Sequence, residues 1–171
     1  MIIFSHRGCG FNKEENSIEG FSEAFKKNFS LELDVRKTKD NFLVISHDAD
    51  LKRVGGIDKK ICTINYYEIK KIIPKFSEVC KKIVVPYSKN NLIAVHLKTK
   101  EKKIIKEVYA EISSNNLERN FFIFDILKED IDYARNLNKN IKIGLSIGEK
   151  RASESVYLWE DLKNKNFEIV W

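Results

Sequence analysis

The sequence predicts an α/β protein in which strands of a mainly parallel sheet alternate with helices, in one domain that covers residues 1–171. Short apolar runs alternate with amphipathic segments from Leu92 onward, only 2 Pro and 7 Gly interrupt the chain, and no internal repeat divides it. Alternation of this kind is typical of βα units. A doubly wound sheet and a TIM-like barrel both produce it, and the alternation alone does not distinguish between them.

The first half of the chain contains one helix with a clear beginning. Asn16 is predicted to cap this helix, because Glu19 follows three residues later as in a capping box. Ile18, Phe21 and Phe25 then form an apolar stripe at nearly helical spacing. The predicted strands are residues 2–5, 31–36 and 42–46, and helical segments are predicted at residues 65–73 and after Pro74.

The second half of the chain alternates more regularly between strand-like and helix-like patterns. Strands that are joined through helices pair in parallel, because a tight hairpin connection is not available to them. The predicted strands are residues 92–97, 121–124, 141–146, 156–159 and 167–171, and the predicted helices are residues 101–113 and 128–137.

Composition and charge exclude several classes of protein. The net charge is +6, but the lysines are scattered among 25 acidic residues, which favours a solvated surface over nucleic-acid binding. No run of about 18 apolar residues is present, so no transmembrane segment is expected. The N-terminus does not resemble a secretion signal, so a cytoplasmic location is expected by default. The 3 cysteines are irregularly spaced and indicate neither a disulfide framework nor a Cys-type zinc site.

The 3 histidines of the chain are candidates for a functional site, because each lies at or near the end of a predicted strand. In βα folds the active site lies at the C-terminal ends of the strands. His6 and His47 can share general acid and general base work near neutral pH. Arg7 suits bidentate contact with a phosphate oxygen. His96 and Lys98 are two residues apart and therefore lie on one face of their strand, where Lys98 can stabilise charge on phosphate.

Glu32 and Asp34 are also two residues apart on a predicted strand, so both carboxylates point to the same face. Two carboxylates that point into a core are unfavourable unless a positive group neutralises them. A hard divalent cation such as Mg²⁺ or Ca²⁺ is the natural partner of oxygen ligands. A salt bridge with Arg36 or with a nearby lysine is the alternative, and the spacing leaves both open.

Four short motifs, in this order and at these distances, resemble the glycerophosphodiester phosphodiesterase family. They are His-Arg-Gly at 6–8, Glu-Asn-Ser at 15–17, Glu-Leu-Asp at 32–34 and His-Asp at 47–48. The resemblance implies a TIM-type (βα) barrel and a divalent metal, Mg or Ca. It also implies roles for individual residues: acid and base for His6 and His47, metal ligands for Glu32 and Asp34, phosphate binding for Arg7 and a site-shaping role for Asn16.

The sequence departs from the family pattern in two places. The family usually has Glu-x-Lys at the next strand end, whereas this chain has His96 before Lys98. His96 is therefore expected to be the third metal ligand, which makes Mn, Co or Zn possible. A TIM barrel typically needs about 250 residues, so a short barrel is expected. Either it is compact or incomplete at the C-terminus, or a homodimer partner closes it. Asp125 either lines the site or is a turn residue.

Together these observations predict a metal-dependent phosphodiester hydrolase that acts on small glycerophosphodiester-like substrates. The products would be an alcohol and a phosphomonoester, glycerol phosphate in the family's usual case. The alternative is a non-catalytic relative that binds a phosphorylated ligand, because the third carboxylate is missing and the C-terminal half is short.

Overall fold

A computed structural model describes residues 2–8, 13–87, 91–99, 101–124, 126–145 and 169–170 of the chain. In these residues, parallel strands form one sheet and helices follow most of them, so the predicted α/β class is confirmed. The described strands are β1 (Phe4–His6), β2 (Ser30–Lys37), β3 (Leu43–Ile45), β4 (Asp50–Leu51), β5 (Ile57–Lys60), β6 (Ile93–Leu97), β7 (Phe121–Phe124), β8 (Ile143–Leu145) and β9 (Ile169–Val170). Each strand of the parallel series pairs with the next one of that series along the chain, in the order β1, β2, β6, β7, β8, β9.

The helices vary in length, and the longer ones follow the strands of the parallel series. After Pro74 the chain is helical from Phe76 to Tyr87. A π-helical stretch at Cys80–Val84 lies between two α-helical pieces. The described α-helices are α1 (Ile18–Lys26), α2 (Lys52–Gly55), α3 (Tyr66–Ile69), α4 (Phe76–Val79), α5 (Val85–Tyr87), α6 (Lys103–Ser114) and α7 (Lys128–Leu137). No helix within the described ranges is both long and apolar enough to cross a bilayer.

Three of the described strands depart from the parallel pattern. β3 pairs with β2 in the antiparallel direction, because the connection between Lys37 and Leu43 is too short for a crossover. β4 and β5 form a separate antiparallel pair outside the main sheet. The predicted strand at 42–46 therefore exists, but it is a hairpin partner of β2 and does not belong to the parallel series.

Most of the other predicted bounds agree with the structure to within one or two residues. β7 and α7 begin and end where they are predicted. The predicted helix at 65–73 contains only one short helix, Tyr66–Ile69, followed by turns. Of the predicted strand at 167–171, Ile169–Val170 pairs with β8, whereas residues 156–159 lie outside the described ranges. The predicted homodimer stays a prediction.

β2 is buried on both faces, and the two faces differ in chemistry. Leu31, Leu33 and Val35 are fully buried and pack in the main core with residues of α1 and α6. Glu32 and Asp34 point to the opposite face, which we call the inner face. In register, Glu32 lies beside Ala94 of β6, and Ala94 lies beside Phe122 of β7. These last two residues belong to a small apolar cluster below the carboxylates.

The N-terminus of α1 corrects one prediction from the sequence. The N-cap is Ser17, whose Oγ accepts a hydrogen bond of 3.0 Å from the backbone N–H of Gly20. Asn16 has a φ of 52°, in the left-handed region, and its side chain turns towards Asp34. The predicted cap at Asn16 is therefore wrong, because the contact with Asp34 determines where this side chain lies.

Replacing Ser17 by Ala should lower the free energy of unfolding by about 1 kcal/mol, because the N–H of Gly20 then loses its acceptor. Ser114→Ala is the matched control, since the exposed Ser114 hydroxyl at the C-terminus of α6 donates to the carbonyl of Glu111 and accepts from Asn115 Nδ2 but caps no helix N-terminus. Urea titrations of both variants measure the difference. Equal stability of the two variants would show that Ser17 does not cap α1.

Candidate active site

Sheet register brings the candidate residues of three strands together on the inner face. His6 at the end of β1 lies beside Glu32 of β2, and Asp34 of β2 lies beside His96 of β6. Lys98 follows immediately after β6, and its backbone N–H donates to the carbonyl of Val35. The C-terminal ends of β1, β2 and β6 therefore form the floor of one site.

Glu32, Asp34 and His96 form a group that fits a metal ion. One ligand atom from each residue lies within 4.8 Å of the others. The two carboxylates are almost completely buried, at 5% and 1% exposure. Asp34 Oδ1 and Asn16 Oδ1 are buried atoms without a hydrogen-bond partner. Buried oxygens in this state are unfavourable unless a cation or a donor satisfies them, which is why this set of ligands fits a divalent cation.

Burial also changes the protonation of these ligands. Desolvation, followed by the charge of Asp34, raises the pKa of Glu32 to about 8. Desolvation, followed by the charge of Lys98, lowers the pKa of His96 to about 4. His96 is therefore a neutral imidazole at neutral pH, which is the form that ligates metals. Glu32 keeps a proton that a cation would have to displace.

Positive side chains surround Asp34. Arg7 Nε lies 3.4 Å from Asp34 Oδ2, and Lys98 Nζ lies 3.3 Å from Asp34 Oδ1. The salt bridge with a nearby lysine that the sequence left open is therefore present. Arg36 is not its partner, because its guanidinium donates to the backbone carbonyls of His47, at 2.6 and 3.0 Å, and of Lys98, at 3.3 Å. Arg36 thus links the segment around His47 to the segment around Lys98.

His6 and His47 have different environments at the site. His6 Nε2 is 3.7 Å from Glu32 Oε2, and its side chain is 68% exposed. Partial burial, then the charge of Arg7, lowers the pKa of His6. His47 Nδ1 is hydrogen bonded at 2.8 Å to Asp48 Oδ1. An ionised carboxylate can only accept a hydrogen bond, so Nδ1 of His47 carries a proton in this contact. Nε2 is then the ring nitrogen that can face a substrate.

Asn16 reaches the site from the segment before α1. Its Nδ2 donates to Asp34 Oδ2 at 3.3 Å, and its backbone N–H donates to the carbonyl of Arg7 at 2.7 Å. The side chain therefore lies beside Asp34, one of the predicted metal ligands. Its substrate-binding role, like the other assigned roles, stays a prediction.

Three further residues at the site received no role from the sequence. Glu15 and Asp48 belong to the quoted motifs and lie beside Arg7 and His47, respectively. Arg53 contacts both of these carboxylates. Nothing in the charge pattern distinguishes Arg53 from the other cations of a lysine-rich chain; its only signal is its position five residues after Asp48. Asp125 lies outside the described residues.

A cleft of about 560 Å³ adjoins the site. Asn16, His47 and Arg53 line its inner end, and Lys71 and Ile72 are among the residues that line the rest. This volume is within the range that accommodates small-molecule ligands, about 300 to 1,000 Å³.

Comparisons with known proteins agree with the motifs. A model of the glycerophosphoryl diester phosphodiesterase family matches residues 6–170. The chain is 28% identical over 167 residues to human lysophospholipase D GDPD1, a match that covers 97% of this chain and 46% of that protein. It is 27% identical over 166 residues to a glycerophosphodiester phosphodiesterase of Caldanaerobacter subterraneus, which covers 84% of this chain and 65% of the relative. The chain spans about half to two thirds of the length of these relatives.

Solved structures share the fold. A glycerophosphodiester phosphodiesterase from Thermotoga maritima superposes with a TM-score of 0.70 at 30% identity, covering 88% of this chain and 64% of that one. A phosphodiesterase from Oleispira antarctica, solved with the product sn-glycerol-3-phosphate, gives 0.70 at 19% identity and covers 90% and 68% of the two chains. These similarities confirm the predicted TIM-type (βα) barrel class.

The raised pKa of Glu32 predicts how the stability of the metal-free protein depends on pH. Folded Glu32 holds its proton more tightly than unfolded Glu32, since its pKa rises from 4.5 to about 8. Stability in EDTA should therefore fall as pH rises through this interval. Glu32→Gln removes the titration, so the variant should melt above the wild type near the upper end of the interval, and a thermal melt at several pH values measures this.

Glu23→Gln is the control for this experiment. Glu23 lies on α1 and pairs with Lys26 at 2.8 Å, and the hydrogen bond from Lys26 lowers its pKa, so it does not titrate in that interval. Parallel pH profiles of Glu32→Gln and wild type would contradict the assigned protonation of Glu32.

Proposed function

The chain belongs to the glycerophosphoryl diester phosphodiesterase family, and we propose that it hydrolyses a glycerophosphodiester to an alcohol and glycerol phosphate with the help of a divalent cation. The grouping of Glu32, Asp34 and His96 within 4.8 Å, with His6 Nε2 3.7 Å from Glu32 Oε2, is the observation that carries this proposal. Two relatives support the substrate class: the human one is named a lysophospholipase D, and the Oleispira one was solved with sn-glycerol-3-phosphate.

Glu32, Asp34 and His96 are the residues that would hold the cation. When bound, a divalent cation neutralises charge on the non-bridging phosphate oxygens and helps to orient the nucleophile. Arg7 and Lys98, which lie beside Asp34 at 3.4 and 3.3 Å, supply further positive charge for the phosphate. Arg7 is suited to bidentate contact, whereas Lys98 acts as a point charge.

We assign the general base to His6 and the general acid to His47. His6 has a lowered pKa and is therefore neutral at neutral pH, so it can accept a proton from water or from a substrate hydroxyl. Asp48 contacts Nδ1 of His47 and so orients the ring with Nε2 available to donate a proton to the leaving oxygen. The cleft adjoins His47, so the leaving alcohol is assigned to the cleft.

The direct test is hydrolysis of a panel of glycerophosphodiesters and of bis(p-nitrophenyl) phosphate with added metals. The purified chain should release glycerol phosphate, and EDTA should abolish turnover. His6→Ala should lose activity on every substrate, because each of them needs the base. His47→Ala should lose activity on diesters of alkyl alcohols but keep much of it on the p-nitrophenyl ester, since nitrophenolate leaves without protonation.

Two results would contradict these assignments. Equal losses on both leaving groups in His47→Ala would remove it as the acid. Saturable binding of glycerol phosphate without any turnover in any metal would instead identify a non-catalytic relative that binds a phosphorylated ligand. Lys139→Ala serves as the control for general damage. Lys139 lies in the turn after α7, far along the chain from the site motifs.

His96 should determine which metal is preferred. A nitrogen donor favours Mn²⁺, Co²⁺ or Zn²⁺, whereas Mg²⁺ and Ca²⁺ favour oxygen. We expect the wild type to be most active with a transition metal, and His96→Glu to move the preference towards Mg²⁺ or Ca²⁺. Activity titrations of both proteins with each metal measure this. Superimposable metal profiles would show that His96 does not ligate the ion and would leave Glu32 and Asp34 as the protein ligands.

A further inference from the structure

Arg53 lies on α2, between the two strands of the small β4–β5 pair, and contacts two acidic residues at once. Its Nε donates to Asp48 Oδ2 at 2.7 Å, and its Nη2 donates to Glu15 Oε1. Glu15 precedes α1 and Asp48 follows β3, so one guanidinium joins three separate segments of the chain.

The second oxygen of each carboxylate binds a side chain of the proposed active site. Asp48 Oδ1 accepts from His47 Nδ1 at 2.8 Å, and Glu15 Oε2 accepts from Arg7 Nη1 at 3.4 Å. Two short chains of contacts therefore run outward from Arg53, one to the histidine and one to the arginine that faces phosphate.

We propose that Arg53 is a positioning residue that aligns His47 through Asp48 and Arg7 through Glu15. This inference rests on the hydrolysis proposed above. This role requires no contact between Arg53 and the substrate phosphate, because Nε and Nη2 of its guanidinium already donate to the two carboxylates. A planar guanidinium can fix two carboxylates in one geometry, which the single ammonium of a lysine cannot do.

The chemistry needs such alignment because both carboxylates lie on loop segments. Asp48 and Glu15 keep 28% and 20% of their side chains exposed, so surrounding packing alone does not immobilise them. The hydrogen bond with His47, then the one with Arg53, lowers the pKa of Asp48, which keeps it an ionised acceptor for Nδ1–H. A general acid that turns away from its reacting oxygen loses rate steeply, about 10²-fold for a misplacement of about 1 Å.

A purely structural role for Arg53 would predict that its removal lowers thermal stability, whereas the positioning role predicts a kinetic defect in a stable protein. The Arg53 side chain is 51% exposed, and ion pairs in such positions contribute little to stability. Removal of Arg53 should therefore leave thermal unfolding almost unchanged, so a kinetic defect would not reflect loss of the fold.

The test compares Arg53→Ala, Arg53→Lys and Lys52→Ala in the full chain with its metal. Lys52 is the matched control, because it is the neighbouring residue on α2 and forms its own exposed ion pair, with Asp58 at 3.4 Å. We expect Arg53→Ala to lower kcat by about 10- to 100-fold with little change in KM. Arg53→Lys should stay close to Arg53→Ala, since lysine cannot span both carboxylates. Lys52→Ala should match the wild type.

Nitrogen-15 NMR of the histidine rings provides a readout that does not depend on activity. The chain has 3 histidines, so the His47 signals can be assigned by substitution. In the wild type, neutral His47 should carry its proton on Nδ1, and Asp48→Ala should abolish this preference. Arg53→Ala should shift the tautomer towards that of Asp48→Ala, whereas Lys52→Ala should not.

Three results would overturn the positioning role: unchanged kcat and ring signals in Arg53→Ala, full rescue by Arg53→Lys, or a rise in KM alone, which would indicate direct substrate contact. Failure of the proposed function looks different. In that case the wild type would turn over no diester with any metal, while the His47 signals would still report whether Arg53 aligns the ring.

Discussion

The burial of two carboxylates on the inner face of β2 is the constraint on which the rest of the site depends. Glu32 and Asp34 are almost inaccessible to solvent, and ionised carboxylates in such a place require compensation. Arg7 and Lys98 compensate Asp34 in part, and burial keeps a proton on Glu32 by raising its pKa. Asp34 Oδ1 lies 3.3 Å from Lys98 Nζ but accepts no hydrogen bond from the described residues, so the compensation from protein groups is incomplete. In the function proposed above a divalent cation would complete it, which would couple the energetics of the fold to the chemistry.

The fold meets this constraint by surrounding β2 with elements that each supply a different group. Parallel pairing with β1 and β6 places His6 and His96 in register with the two carboxylates. The antiparallel hairpin with β3 returns the chain so that His47 comes to the same end, where Arg36 holds its carbonyl. The short helix α2, between β4 and β5, places Arg53 beside Asp48 and Glu15. The other face of β2 carries Leu31, Leu33 and Val35, which pack against the helices, and it ends at Lys37, which pairs with Glu107 of α6.

Much of the fold and the floor of the site could be predicted from the sequence, because both depend on local periodicity. The pattern of β7 and α7 gave their bounds, and the two-residue spacing of Glu32 and Asp34 gave their common face. What could not be predicted depends on tertiary contacts. Asn16 is typical of an N-cap residue in the sequence, but its side chain donates to Asp34. Ser17 therefore caps α1 instead. Arg53 shows no pattern at all, because its partners are distant or lie in loops.

The most direct measurement is a crystal structure of the protein with Mn²⁺, using anomalous scattering to locate the ion. A cation that completes the compensation of the buried carboxylates should give one strong peak about 2.0 to 2.4 Å from oxygens of Glu32 and Asp34 and from a ring nitrogen of His96. A peak elsewhere, or no peak while Arg7 and Lys98 still pair with Asp34, would contradict the claim that these residues form a metal centre.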